Sequence, residues 1–276
     1  MRCLPLLLAF LAPSGSKALT NLNIMPLGDS LTQWGCGLMQ PNTTLYSMGG
    51  FRSFLGNSIK TFLFPNASFT FVGGQYDCGS HQGYSGITAL GLLGLVERVM
   101  VAHQPDIVLL QAGTNDLFNN QAGGNGQGAN ASVTAGRIQQ LINTTLAALP
   151  KARILLTGPT TINATRCANF SSAPWHPVNC PLNMTAELRT LNSLLPAVAD
   201  AFPQGTVTFH DPAWDIEFVE EDWWFWGIHF TESGFAKLAA AKWKYLQGVL
   251  QHALADRNDA AGGGGVGQEV GVNSSR

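Results

Sequence analysis

Short apolar segments alternate with amphipathic segments along most of the chain. Continuous apolar runs are typical of strands that are buried on both faces of a parallel sheet, and apolar residues at intervals of three and four are typical of helices. The predicted strands are Leu22–Leu27, Phe69–Gly73, Asp106–Gln111, Arg153–Thr157 and Val207–His210. The predicted helices are Phe51–Leu63, Ile87–Ala102, Thr134–Leu149, Met184–Ala201 and Thr231–Leu250.

This alternation predicts an α/β fold, a three-layer α/β/α sandwich around a five-stranded parallel sheet. Four long segments without apolar periodicity interrupt it: Gln33–Gly50, Phe118–Asn130, Gly158–Asn183 and Asp211–Gly227. Most of them lie on the carboxyl side of a predicted strand, the edge at which open parallel sheets bind ligands. We therefore expect one domain over residues 19–255 with its functional site at that edge.

The two ends of the chain differ from this domain. Residues 1–18 resemble a signal peptide, with Arg2 before the apolar run Leu4–Ala12 and with Ser16 and Ala18 placed for cleavage. That run is too short to span a bilayer, and no later segment is long enough. Residues 256–276 are glycine-rich and are predicted to form a disordered tail. We expect a secreted protein without a membrane span.

Four cysteines remain when the predicted signal peptide is removed: Cys36, Cys78, Cys167 and Cys180. An even number in an exported chain predicts two disulfides, for which three pairings are possible. We favour Cys36–Cys78 and Cys167–Cys180, because the second pair closes a short proline-rich loop. Their spacing is not that of a zinc site, so no bound metal is expected.

Charged residues make up only 12% of the chain, and the net charge is -2. This is about half the usual share, and it excludes a basic nucleic-acid-binding protein and a coiled coil. Asn-x-Ser/Thr acceptor sequences for glycosylation occur at Asn42, Asn66, Asn130, Asn143, Asn163, Asn169, Asn183 and Asn273. We therefore expect a glycoprotein whose surface is hydrated by glycans more than by charges.

Three short polar motifs carry the candidate chemistry. Ser30 follows the first predicted strand, where its hydroxyl can act as a nucleophile and its backbone N–H can stabilise an oxyanion. Asn115 follows the third strand, and its amide can donate to the same oxyanion. His229 precedes the last helix and is suited to act as a general base. Taken alone, the serine and histidine motifs are more typical of turns, helix caps or surface positions, and the asparagine motif is also found in turns.

Taken in order, four segments resemble the sequence blocks of the SGNH/GDSL hydrolases: GDSLT at 28–32, HQGYSG at 81–86, GTND at 113–116 and GIHFTESG at 227–234. The chain most resembles the carbohydrate-esterase branch that includes acetyl xylan esterases. The resemblance implies the flavodoxin-like SGNH hydrolase fold, with Ser30 as nucleophile and His229 as general base. It also implies an oxyanion hole formed by the backbone N–H groups of Ser30 and Gly86 and by the Asn115 side chain, with no cofactor.

The chain departs from this family at the acid of the catalytic triad. In the family this acid lies three residues before the histidine, a position that Trp226 occupies here. One hypothesis is that Asp222, the nearest carboxylate, or Glu221 or Glu220, replaces it. A second is that a backbone carbonyl orients the imidazole of a Ser–His dyad, and a third is that activity is impaired or lost.

An aromatic run, 223–226, precedes the histidine. We expect Trp223, Trp224 and Trp226 to bind substrate through their flat faces, the alternative being that they pack the last helix onto the sheet. The sequence thus predicts a secreted serine esterase, a monomer that removes acetyl groups from carbohydrate or cleaves a small ester through an acyl-enzyme. The alternatives are a lipid or general carboxylesterase and a carbohydrate-binding pseudo-hydrolase.

Overall fold

A parallel sheet forms the centre of the protein. The computed structural model describes residues 19–34, 49–76, 78–121, 127–171, 183–224 and 226–262. Within them the strands are β1 (Thr20–Gly28), β2 (Ala67–Phe71), β3 (Gln82–Gly83), β4 (Ile107–Gln111), β5 (Arg153–Thr157) and β6 (Val207–His210). The order is β2-β1-β4-β5-β6, all pairs are parallel, and the two-residue β3 pairs with the end of β1. Without β3 this is the flavodoxin-like order.

Helices cover both faces of the sheet. They are α1 (Ser30–Gln33), α2 (Phe51–Leu63), α3 (Ala89–Leu93), α4 (Val96–His103), α5 (Thr114–Gln121), α6 (Ala131–Ala148), α7 (Ala164–Ser171), α8 (Met184–Asp200), α9 (Pro212–Asp215) and α10 (Glu232–Gly262), with a 3-10 turn at Glu220–Asp222. One core lies between the sheet and α2 with α10, and the other between the sheet and the group that includes α4, α6 and α8.

The apolar strands contribute to both cores because successive side chains point to opposite faces. In β4, Ile107 and Leu109 pack in the core beneath α2 and α10, whereas Val108 and Leu110 pack in the other. This is the physical reason for the uninterrupted apolar run in the sequence. The predicted three-layer α/β/α fold with a parallel sheet is confirmed.

Several element limits differ from the sequence prediction. The single helix predicted over Ile87–Ala102 is divided into α3 and α4, because α3 ends at Leu93 with Gly94 as its C-cap, and Leu95 is the N-cap residue of a new helix. Helices also occur in segments expected to be irregular, among them α7, the second half of α5, and α9. They are short, and α5 and α7 are largely polar, so no apolar period indicates them.

The domain boundary predicted at residue 256 is wrong, because α10 continues to Gly262. Two ion pairs hold this extension against the amino ends of the strands: Asp256 binds Arg153, with a nitrogen–oxygen distance of 2.7 Å, and Arg257 binds Asp106 at 2.7 Å. Residues 1–18 and 263–276 lie outside the described part of the chain, and the predictions of a signal peptide and of a disordered tail fall on them.

Two further predictions concern segments only partly described. Cys36 and Cys180 are outside the described residues, so the pairings Cys36–Cys78 and Cys167–Cys180 stay predictions. None of the helices in the described ranges combines the length and apolar character that crossing a membrane requires.

Candidate active site

Ser30 lies at the carboxyl end of β1, where it is the first residue of α1. The carboxylate of Asp29 caps this helix by accepting a hydrogen bond of 2.9 Å from the Leu31 N–H. Gly28 permits the strand to end here, since a Cβ at this position would collide with the Gln111 carbonyl of β4. The close pairing of β1 with β4 and the cap together set the position of the serine.

Asp29, the capping residue, is buried together with Lys242, and the two groups influence each other's pKa. Burial raises the pKa of Asp29 to about 6, and the Leu31 N–H and the charge of Lys242 oppose that rise. Lys242, fully buried on α10, donates a hydrogen bond of 2.7 Å from Nζ to Oγ1 of Thr157, at the end of β5. Burial lowers the pKa of Lys242 to about 7, and Asp29 opposes that change. With a pKa of about 6, Asp29 is mostly ionised at neutral pH, a form that the Leu31 N–H and the charge of Lys242 both favour.

His229 reaches the serine from the loop before α10. Its Nε2 lies 2.7 Å from Oγ of Ser30, a hydrogen-bond distance between residues that are 199 positions apart in the chain. The loop turns at Gly227, whose φ of 71° is in the region that favours glycine. The carbonyl of Gly227 accepts a 2.8 Å bond from the Asn163 N–H, and the Trp224 N–H donates to the His229 carbonyl at 2.9 Å. These bonds fix the backbone that carries the imidazole.

The imidazole is half-buried, and burial lowers its pKa to about 4. At neutral pH the ring is therefore uncharged, which is the form that can accept a proton. Its Nδ1 is shielded from solvent and has no hydrogen-bond partner among the described residues. The ring of Trp34 is stacked on it, with 4.5 Å between the centroids and 22° between the planes.

The structure does not bring Asp222 to His229. The Asp222 side chain is only 1% exposed and accepts hydrogen bonds from the Val219 N–H at 2.9 Å, Ser233 Oγ at 2.7 Å and Lys237 Nζ at 2.6 Å. Burial tends to raise its pKa, but these donors outweigh burial and lower it. The prediction that Asp222 orients the imidazole is therefore wrong: the carboxylate ties the 3-10 turn to the start of α10.

The two neighbouring acids do not replace it. Glu220 binds Arg166 and accepts a bond of 2.7 Å from Nδ2 of Asn163. Glu221 is exposed, and its backbone carbonyl accepts a bond from Thr231. Because His229 Nδ1 is without a partner in the described structure, neither carboxylate serves as its acceptor.

The predicted oxyanion-hole residues belong to elements that are bonded to one another. Asn115, in the first turn of α5, donates a hydrogen bond of 3.0 Å from Nδ2 to the Ile87 carbonyl, beside Gly86. The Ser85 N–H, on the other side of Gly86, donates to Gln33 Oε1 on the helix that begins with Ser30. Gly86 itself is exposed, with a φ of 75°. Since an amide has two N–H groups, Asn115 keeps one donor beyond the bond to Ile87.

Asp116 connects the segment after Gly86 to α6 through hydrogen bonds. Its buried carboxylate accepts hydrogen bonds from the Ala89 N–H at 2.7 Å and from Arg137 at 2.9 Å. Burial raises the pKa of Asp116, although both donors oppose that rise. The carboxylate therefore fixes the Ala89 backbone near the site.

The aromatic run separates into a core residue and two half-buried residues near His229. Trp223 is 5% exposed and packs against Phe230, with 4.7 Å between centroids, and Phe218, at 5.2 Å. The prediction that Trp223 binds substrate is therefore wrong, because its ring belongs to the core beneath α10. Trp224 and Trp226 are half-buried and stack on each other at 5.9 Å.

Two features of the site escaped the sequence reasoning. Trp34 lies four residues after Ser30 at the end of α1, but it fell in a segment predicted to be irregular. In the sequence, Lys242 is indistinguishable from a surface lysine of the last helix. Its complete burial in the structure is what distinguishes it. The one sequence signal that could have indicated Trp34 is its position four residues after the predicted nucleophile, Ser30.

Comparison with known proteins agrees with the fold and the motifs. The chain is similar to a multidomain esterase from Ruminococcus flavefaciens, with 25% identity over 272 residues and 87% of this chain covered; the chain spans 30% of that protein's length. A family 3 carbohydrate esterase of Clostridium thermocellum has a similar structure, with a TM-score of 0.62, 24% identity, and 86% of this chain and 100% of that chain covered. So does an acetylxylan esterase from Geobacillus stearothermophilus, with a TM-score of 0.58, 16% identity, and 86% and 96% covered.

The family comparison matches most of the domain. Residues 27–237 match the GDSL-like Lipase/Acylhydrolase family, a range that includes both Ser30 and His229. The resemblance seen in the four sequence blocks is therefore confirmed. The chain belongs to the GDSL-like lipase/acylhydrolase family.

Proposed function

We propose that this protein is a serine esterase, a carboxylic ester hydrolase that works through an acyl-enzyme. The observation that carries the proposal is the 2.7 Å contact between Ser30 Oγ and His229 Nε2. A hydroxyl hydrogen-bonded to a neutral imidazole is the pairing that activates serine as a nucleophile. The low pKa of His229 supports it, because the imidazole is uncharged at neutral pH.

In the first half of the reaction, Ser30 Oγ attacks the ester carbonyl carbon while its proton passes to His229 Nε2. The Ser30 and Gly86 N–H groups and the Asn115 amide stabilise the negative oxygen that forms. The intermediate then breaks its bond to the alcohol oxygen. His229 returns the proton to that oxygen, so the alcohol leaves and Ser30 is acylated.

Water completes the cycle. His229 Nε2 takes a proton from a water molecule whose oxygen attacks the acyl carbon, and the same oxyanion donors stabilise the second intermediate. When the bond to Ser30 Oγ breaks, the proton passes to that oxygen. The products are a carboxylic acid and the free enzyme, and no step requires a cofactor.

For the substrate we propose acetyl groups esterified to a carbohydrate. Two half-buried indoles near the general base, those of Trp224 and Trp226, support this proposal, since flat aromatic faces suit sugar rings. The two similar solved structures named above are a carbohydrate esterase and an acetylxylan esterase. The low charged fraction of 12% fits a neutral substrate that needs no electrostatic steering.

The same proposal includes secretion, glycosylation and the disulfides Cys36–Cys78 and Cys167–Cys180. Of the acceptor asparagines in the described ranges, five have exposed side chains: Asn66, Asn130, Asn143, Asn169 and Asn183. Asn163 differs, because its Nδ2 is bound to Glu220. We therefore expect glycans on the first group and none on Asn163, which glycopeptide mass spectrometry of the protein expressed in a eukaryotic host measures directly.

Labelling with a fluorophosphonate tests the catalytic proposal. Wild type is compared with Ser30→Ala and with Ser193→Ala, a control that removes an exposed serine of α8. Wild type and the control should be labelled and should hydrolyse p-nitrophenyl acetate, whereas Ser30→Ala should do neither. An unlabelled, inactive wild type would contradict the proposal. Acetate release from acetylated xylan, compared with cleavage of octanoyl esters, then separates a carbohydrate esterase from a lipid esterase.

A second candidate function is carbohydrate binding without catalysis. The observation that favours it is the absence of an acceptor for His229 Nδ1 among the described residues, since loss of the triad acid in serine hydrolases lowers kcat about 10⁴-fold. This candidate predicts that wild type and Ser30→Ala bind xylan equally and that neither releases acetate.

A further inference from the structure

Among the described residues, Ser30 is the one hydrogen-bond partner of the His229 imidazole. In serine hydrolases a carboxylate bonded to Nδ1 holds the histidine in place, but here Nδ1 is buried and without a partner in the described structure. Even so, Nε2 lies 2.7 Å from the nucleophile. The packing of the ring must therefore supply the orientation.

We propose that Trp34 is a positioning residue that holds His229 against Ser30, in place of a triad carboxylate. The indole is stacked on the imidazole, with 4.5 Å between centroids and 22° between planes. Trp226 makes an edge contact with the same imidazole, with 5.5 Å between the centroids and 74° between the planes. The Trp34 ring therefore restrains the plane of the imidazole, and the Trp226 ring restrains its movement within that plane. This inference rests on the proposed esterase function and names the group that makes the Ser–His pair competent.

Trp34 is itself fixed relative to the nucleophile. It follows directly on the four-residue helix α1, and its N–H donates a 2.7 Å hydrogen bond to the carbonyl of Ser30. Its side chain is 7% exposed and makes edge contacts with Trp224 at 5.7 Å and Trp226 at 6.1 Å. Ser30 and Trp34 are therefore held at the two ends of the single turn α1, and the imidazole of His229 contacts both of them.

The stack also suits the charge that develops during the reaction. When His229 takes the proton of Ser30 it becomes a cation, and a cation within about 6 Å of an indole face is attracted by the negative charge of that face. In the resting enzyme the same packing removes water from the neutral ring. Trp34 can thus shield the base before the proton transfer and stabilise the imidazolium after it.

The test compares Trp34→Leu, which loses the aromatic face, with Trp34→Phe, which keeps one. Trp243→Leu is the matched control, since it removes a half-buried indole of α10 that contacts Phe62 at 5.6 Å. For each variant we would measure kcat and KM on p-nitrophenyl acetate, the melting temperature, and the NMR titration of His229, whose signal is identified by its absence in His229→Ala.

We expect Trp34→Leu to lower kcat about 100-fold, the loss typical of a catalytic group displaced by about 1 Å, with KM changed less than about 3-fold. Trp34→Phe should stay within about 5-fold of wild type, and Trp243→Leu should keep full activity. The pKa of His229 should rise from about 4 towards its ordinary 6.5 in Trp34→Leu, because burial is what lowers it and the water that reaches the ring stabilises the imidazolium more than the lost indole face did. A merely structural role would not separate the leucine from the phenylalanine variant.

A rescue experiment sharpens the result. In the Trp34→Leu background, Trp226→Asp places a carboxylate three residues before His229, and it should restore part of the lost kcat if orientation is what was lost. Should the leucine variant fail to fold, Trp34→Met fills the same space with a flexible apolar chain and takes its place.

Three outcomes would overturn the inference: a kcat for Trp34→Leu within about 3-fold of wild type, equal losses in the leucine and phenylalanine variants, or an unchanged titration of His229. An inactive and unlabelled wild type would instead refute the proposed function. The titration requires no activity, so it still decides the role of Trp34 in that case.

Discussion

Replacement of Asp222 by alanine removes a buried carboxylate that lies seven positions before His229 and is bonded to other residues. Its three hydrogen bonds connect Val219, at the cap of the 3-10 turn, with Ser233 and Lys237, in the first turns of α10. The imidazole of His229 is not among its partners. Its loss should therefore affect stability far more than chemistry.

The magnitude follows from those bonds. Hydrogen bonds to the charged carboxylate from Val219 and Ser233 contribute about 1.5 kcal/mol each, the lower end of the range for charged partners, net of their bonds to water in the unfolded chain. The ion pair with Lys237 adds less than about 1 kcal/mol, because the lysine side chain is 38% exposed. Asp222→Ala should thus lower the free energy of unfolding by about 3 kcal/mol and the melting temperature by about 6–12 °C.

The assay pairs thermal unfolding with ester hydrolysis at 20 °C. We expect kcat/KM of Asp222→Ala to remain within about 10-fold of wild type, whereas loss of a triad acid would lower it about 10⁴-fold. Since the folded-state pKa of Asp222 lies below the ordinary 3.8, its stabilisation is complete above pH 3.8 and is lost as the pH falls through that lower value. The stability difference from wild type should therefore shrink only in strong acid.

Glu221→Ala is the matched control, since it removes a neighbouring exposed carboxylate and leaves the backbone bond to Thr231 in place. Glu221→Ala should change neither the melting temperature nor kcat/KM. A 10³-fold or greater loss of kcat/KM in Asp222→Ala at an unchanged melting temperature would show that Asp222 does act on His229 and that the reasoning is wrong.

Three further predictions concern the site. Asn115→Ala should lower kcat about 10²–10³-fold through loss of an oxyanion donor, with a small change in KM, as steady-state kinetics will show. The pH profile of kcat/KM should fall through about pH 4, because an imidazole with that pKa is still about 90% neutral at pH 5, against about 3% at the ordinary 6.5. Gly227→Ala should lower the free energy of unfolding by about 1–3 kcal/mol, since a Cβ at a φ of 71° would collide with the Asn163 carbonyl.

Each of these has a result that would contradict it. For Asn115 it is an unchanged kcat. For the pH profile it is an inflection near 6.5 in protein that tryptophan fluorescence shows to be folded throughout. For Gly227 it is an unfolding curve that superimposes on wild type, with Gly248→Ala, at a helical position with open space around it, as the control.

The sequence by itself determined the layered α/β architecture and the limits of its most apolar elements. Helix Phe51–Leu63 and strand Arg153–Thr157 begin and end where their apolar patterns predict. This is because burial on one helix face, or on both sheet faces, imposes a period that other constraints rarely override. The polar helices α5 and α7 carry no such period, so only tertiary packing reveals them.

The sequence also identified Ser30 and His229, through motifs that belong to a family, but it could not place one beside the other. That distance depends on the pairing of β1 with β4 and on the turn at Gly227. Nor could it tell that Asp222, the nearest candidate acid in the sequence, is bonded to Lys237 on α10. Proximity along the chain says little about which partner a buried carboxylate meets.

The residues around the imidazole were decided by tertiary structure alone. Trp34 and Trp226 are separated by nearly two hundred positions, and no pattern in either segment indicates that they contact the same ring. Aromatic contacts depend on the relative placement of α1 and the loop before α10, which the whole sheet sets. Local residue order determines what each element is, whereas long-range packing determines which side chains meet and therefore which chemistry is possible.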